Sequence, residues 1–139
     1  MVDIIGGCLC GNIRYTSDAQ PITTAVCHCS FCQKQTSSGF SILVVVPRES
    51  LQVEGETLGA YETIGEDSGQ PVIRKFCQNC GSAIVSDIAV TPDWLWIKAG
   101  TLDDTSWLRP EFNMWCERAQ PWVNFDGSIP ALDRNPPVG

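Results

Sequence analysis

Phe76-Cys77-Gln78-Asn79-Cys80-Gly81-Ser82 reads as a chelating turn. Two thiols two residues apart bite one ion from a tight bend, and Gly81 supplies the positive φ such a bend requires. Working outward, the partner of this turn is Cys8-Leu9-Cys10, whose side chains share a face if the chain there is extended. Cys8, Cys10, Cys77 and Cys80 together predict a closed four-thiolate zinc site of structural type, joining the first strand region to the chain near residue 80. Such a site contributes folding free energy directly, about 10–16 kcal/mol of apparent binding in zinc-finger peptides.

A second group, Cys27-His28-Cys29-Ser30-Phe31-Cys32, places three thiols in six residues. Three protein ligands with a vacant fourth position is the catalytic zinc pattern, whereas four is the structural one. Cys116 is the competitor for the fourth position. His28 alternates with Cys27 and Cys29 and so points away from the ion on a strand. Eight cysteines also permit a disulfide framework, but that needs an oxidising compartment, and cysteines this close together are poorly placed to staple distant segments.

Composition narrows the remaining classes. The 139 residues predict a single domain over 1–139, with 43% hydrophobic and 18% charged residues in a globular balance. Nine basic against sixteen acidic residues give a charge of −7, with no basic block beyond Arg74-Lys75, which excludes nucleic acid and anionic membrane as expected partners. The longest aliphatic run, Ile42 to Val46, is too short for a bilayer. Residues 1–8 lack a basic and then apolar leader, so a cytoplasmic location is expected. With one histidine, the histidine-rich hydrolytic zinc sites are excluded, and no HExxH, GxSxG or phosphate-binding loop occurs.

The pattern between turn signals is mostly β. Strands are expected near Asn12–Thr16, Thr23–Cys27, Phe40–Val46, Gln52–Glu54, Ala60–Thr63, Val72–Phe76, Ala83–Ser86, Leu95–Ala99 and Glu111–Trp115. Trp94-Leu95-Trp96-Ile97-Lys98-Ala99 is apolar on both faces until Lys98, which suits a central strand. Two short helical turns are expected, one N-capped by Ser30 through Gln35 and one from Asp103 or Asp104 through Leu108. The tail from Ile129 to Gly139 reads as an extended strap. The five tryptophans are expected in the core or a groove wall.

The three cysteine groups in this order, Gly7-Cys8-Leu9-Cys10-Gly11, Cys27 to Lys34 and Phe76 to Ser82, resemble the glutathione-dependent formaldehyde-activating enzyme family, also called the centromere protein V type domain. Ala99-Gly100-Thr101-Leu102-Asp103-Asp104, Arg109-Pro110 and Ala119-Gln120-Pro121-Trp122 extend the resemblance over nearly the whole chain. It implies a β-tent of antiparallel sheets around two zinc ions. Cys8, Cys10, Cys77 and Cys80 would hold the structural ion, and Cys27, Cys29 and Cys32 the catalytic one. The implied activity is a carbon–sulfur lyase's, joining glutathione and formaldehyde as S-hydroxymethylglutathione. Two positions depart from the family pattern: Asn113 stands where many members carry histidine, and Cys116 stands beside it.

Glutathione carries carboxylates, so cations should line its groove. Lys34 is best placed by sequence, followed by Arg14, Arg74 and Lys75. Two other classes stay open. One is a non-catalytic zinc-stabilised binding module, if Cys116 closes the second site. The other is a redox or metal-handling protein using the three thiols reversibly. Oligomeric state is left undetermined.

Overall fold

A computed structural model describes residues 1–136. The elements run β1 (Ile4–Gly7), β2 (Arg14–Ser17), β3 (Thr23–Cys27), α1 (Ser30–Thr36), β4 (Ser41–Pro47), β5 (Leu51–Glu54), β6 (Leu58–Ile64), β7 (Pro71–Cys77), β8 (Ala83–Ile88), β9 (Trp94–Lys98) and β10 (Phe112–Met114). The chain is therefore mostly β with one short α-helix, as its turn-punctuated sequence predicts. Short 3-10 turns cover Arg48–Ser50, Ala99–Thr101 and Cys116–Arg118.

Two sheets form. The smaller is β1-β2-β5 and the larger, in order, is β10-β3-β4-β9-β8-β7-β6. The aliphatic run of β4 lies near the middle of the larger sheet, and Val44, Val45 and Val46 are fully buried. Because successive side chains alternate faces, this one strand feeds two cores. Val44 and Val46 join Leu95, Ile97 and Val85 on the face that packs against Ile4, Ile13 and Tyr15 of the small-sheet side. Leu43 and Val45 join Ala25, Cys27, Trp96, Met114 and Trp115 on the opposite face. The second cysteine group belongs to this opposite face. The Trp94–Lys98 strand is central, between β4 and β8, as its two-sided apolar pattern predicts.

Four expectations need correction. The sheets are not wholly antiparallel, because β10 pairs with β3 in parallel, Met114 opposite Cys27. The chain between β9 and β10 is long enough to bring β10 back in the same direction as β3. A first strand, Ile4–Gly7, precedes all those expected. Cys8-Leu9-Cys10 is a turn and not extended: the Gly11 amide donates to the Cys8 carbonyl at 3.1 Å, with Gly11 at φ +83°. No helix starts at Asp103 or Asp104. Asp103 is held by Arg14, and Asp104 Oδ1 accepts the Ser106 amide at 2.9 Å, a local turn that competes with helix.

The tail runs parallel beside β10 as a strap as far as it is described. Asn113 and Pro130 share a backbone hydrogen bond of 2.8 Å, as do Leu132 and Asn113, and the Trp115 indole donates to Asn135 Oδ1 at 2.7 Å. Pro137 to Gly139 lie outside the described residues. Among those described, no helix is long and apolar enough to cross a membrane.

Candidate metal centres

The first centre is built by two similar turns. Cys77 ends β7, Cys80 follows in the bend, and the Gly81 amide donates to the Cys77 carbonyl at 2.8 Å with Gly81 at φ +81°. The Cys8–Gly11 turn repeats this arrangement, so each pair of thiols is presented by a glycine in the left-handed region. The four Sγ atoms all lie within 4.8 Å of one another. Cys8 and Cys10 sulfurs are 3.5 Å apart, and those of Cys10 and Cys77 are 3.8 Å apart. Tetrahedral zinc–sulfur bonds of about 2.3 Å require sulfur separations of about 3.8 Å, which these two pairs approach, so the donor set suits such an ion. A disulfide needs a separation of about 2 Å, which neither pair approaches.

Neighbouring donors surround these sulfurs and favour the thiolate form of Cys77 and Cys80. The Ile13 amide donates to Cys8 Sγ at 3.2 Å. Thr57 Oγ1 lies 3.1 Å from Cys77 Sγ, and this contact, ahead of nearby backbone amides, holds Cys77 below the ordinary thiol range. Ser82 Oγ lies 3.2 Å from Cys80 Sγ, and its hydroxyl, then its amide, bring that thiol down to about 5. The same Ser82 Oγ accepts the Leu9 amide at 3.0 Å and so ties the two turns together.

The second centre lies where β3 meets α1. Cys27 is the last residue of β3. Cys29 is the helix N-cap, with extended backbone, and its Sγ accepts the Cys32 amide at 3.2 Å. The cap expected at Ser30 therefore falls on Cys29, because a sulfur at that position takes the role of a cap hydroxyl. Cys32 returns one turn later and is buried. The three sulfurs lie within 4.8 Å of one another, and among the described residues no fourth histidine, cysteine or carboxylate ligand joins them. Cys116 lies in the turn after β10, where its amide donates to the Leu132 carbonyl at 3.0 Å, and its sulfur is not part of the group. His28 is buried on the other side of β3, with Nε2 2.9 Å from Asn113 Oδ1 and its ring between Phe40 and Phe125. Asn113, the departure from the family pattern, thus positions the histidine beside the cysteines.

The cavity above these sulfurs has a volume of about 100 Å³. Its walls include Leu43, Val72, Ile88, Trp96, Met114 and Trp115, with Arg74 as a buried cation. Of the four cations that the sequence nominated, only Arg74 is brought here. Arg14 pairs with Asp103 beside the small sheet, its Nη1 3.0 Å from the carboxylate. Lys34 is exposed on α1, outside the cavity lining. Lys75 alternates to the face of β7 opposite Arg74.

Lys98 was missed as a site residue. It is 5% exposed, and its Nζ donates to Ser41 Oγ at 2.9 Å. Ser41 is the register partner of Cys27, and Leu43 is the register partner of Lys98. Paired residues share a sheet face, so Lys98 sits on the cysteine side. The only signal in the sequence was a lysine sharing the alternation of Trp94 and Trp96. Burial lowers the ammonium pKa, and the sulfur charge of Cys32 opposes this. Hydrogen bonds with Cys29 and Cys32, then burial, hold Cys27 well above the usual thiol range. The bonds with Cys27 and Cys29 hold Cys32 well below it, helped by Lys98 and Arg74.

The model of the glutathione-dependent formaldehyde-activating enzyme family matches residues 3–118. The chain belongs to that family. The match takes in both cysteine centres, and the C-terminal strap lies beyond it. A crystal structure of a Rhodobacter sphaeroides protein, solved as a structural-genomics target, is similar in fold. Its TM-score is 0.59 at 19% identity, over 92% of this chain and 99% of that one. No curated protein sequence matches this chain significantly.

Proposed function

We propose that this family member is a zinc-dependent carbon–sulfur lyase that handles a small thiol–aldehyde adduct, glutathione and formaldehyde by family membership. In this reading Cys8, Cys10, Cys77 and Cys80 hold a structural zinc, and Cys27, Cys29 and Cys32 hold a second, catalytic one. The observation that carries the reading is the second centre: three converging sulfurs, no fourth ligand among the described residues, and a cavity at the sulfurs. A divalent ion bound there supplies an open Lewis-acid position that favours the thiolate form of an incoming thiol.

The residues around it do the rest. The Cys32 amide orients Cys29 through its bond to Sγ. Trp96, Met114 and Trp115 thin out water around the sulfurs, which strengthens charge interactions inside. Arg74 is fixed by donating from Nε to Thr63 Oγ1 at 2.9 Å and from Nη1 to Gln35 Oε1 at 3.1 Å, and it lies over the Phe31 ring. It is thereby held in the cavity wall beside the three sulfurs. In the synthetic direction the thiol proton passes to solvent and the sulfur lone pair attacks the carbonyl carbon. The carbonyl π pair moves onto oxygen, which takes a proton from water. Thiols add to formaldehyde unaided, so the contribution of the site is proximity and thiol ionisation.

The test is NMR exchange between glutathione and formaldehyde in the presence of the zinc-loaded protein. Exchange faster than the uncatalysed rate in wild type, and reduced at least tenfold towards it in Cys29→Ser, is expected. Equal rates in both would remove the catalytic reading.

A further inference from the structure

We propose that Lys98 and Arg74 make the open position of the second centre selective for an anionic sulfur ligand over a neutral donor. This rests on the reading of Cys27, Cys29 and Cys32 as metal ligands and adds what chooses the fourth. Lys98 and Arg74 are 5% and 8% exposed, and among the described residues neither has a carboxylate within ion-pair distance. Their hydrogen-bond partners, Ser41, Thr63 and Gln35, are neutral and cancel no charge. Buried cations of this kind require a counter-charge.

The sulfurs are that counter-charge. Its hydrogen bond places Lys98 beside Ser41, which strand register places beside Cys27, while Arg74 shares the cavity wall with all three cysteines. The charge count then fixes the ligand. Three thiolates and a divalent ion leave one negative charge, and the two cations exceed it by one. A single incoming anion makes the buried site neutral, whereas a neutral donor leaves it positive in an apolar chamber, where charge is least screened. Glu66 and Arg118 also line the cavity, but they pair with each other at 2.7 Å and leave the count unchanged. Glu66, Asp67 and Glu117 are engaged by Arg118 and Arg134 at solvent, where such pairs are screened.

The experiment uses protein loaded with cobalt at both centres. The closed centre's spectrum serves as the folding control, and ligand-induced changes in the visible bands report the open centre. Titration at one pH with 2-mercaptoethanol and with imidazole gives two affinities. Lys98→Met and Arg74→Met are each expected to weaken the thiol about tenfold while leaving imidazole affinity within about twofold. Arg74→Lys, which retains the charge, is expected to retain the preference. Equal losses for both ligands, or no loss for the thiol, would overturn the proposal while leaving the open centre intact. A wild-type spectrum that no thiol changes would overturn the reading of the centre itself, and the proposal with it.

Discussion

Gly81 has φ +81°, and a methyl group added there meets no atom within 4 Å. Gly81→Ala therefore isolates backbone strain from clash and should cost about 1–2 kcal/mol. Gly100, equally open but without positive φ, is the control, and Gly100→Ala should be neutral or slightly stabilising. Denaturant unfolding of the zinc-loaded variants measures both. The cysteines should divide in the same way. Cys77→Ser removes a buried ligand from the centre that joins the two layers and should leave little soluble folded protein. Cys29→Ser should fold and bind one zinc per chain, by circular dichroism and metal analysis. These residues were legible because tight spacing of thiols leaves few physical uses for them. Lys98 was not, because one lysine at a strand end looks the same whether it meets water or sulfur; only the register of β4 and β9 distinguishes the two.

At the scale of elements, the alternation in β4 and β9 was readable and placed the strands in the middle of the sheet. The direction of β10 was not, since it depends on a long connection whose path no local pattern encodes. Trp96, 3% exposed and donating to Thr91 Oγ1 at 3.0 Å, anchors the β9 side of the cavity. Trp96→Ala should cost about 3–5 kcal/mol, read by thermal or denaturant unfolding. The two turns that form the closed centre and the strand–helix junction that forms the open one should also differ under acid. Protons compete with metal for thiolate, and a thiol with a raised pKa takes its proton at higher pH. Each centre mixes thiols shifted both ways, Cys80 down to about 5 and Cys10 up in one, Cys32 down and Cys27 up in the other, so ligand number sets the order, four sulfurs against three. As pH falls, one zinc should therefore leave before the other, and the first to leave should be the one that Cys29→Ser lacks. A chromogenic chelator read against pH checks the order.

For the whole molecule, the larger sheet separates the tasks. One face closes against the small sheet, with the four-sulfur centre at its margin, and the other carries three sulfurs, two buried cations and an apolar chamber. The two cysteine clusters were legible in the sequence, but their distribution on opposite faces of one sheet was not, because it follows from pairing between strands far apart in the chain. Cadmium NMR of the protein loaded with two cadmium ions tests this division most directly. Two resonances are predicted, of which added thiol moves one and leaves the other unchanged. A single resonance, or two that both ignore the thiol, would contradict it.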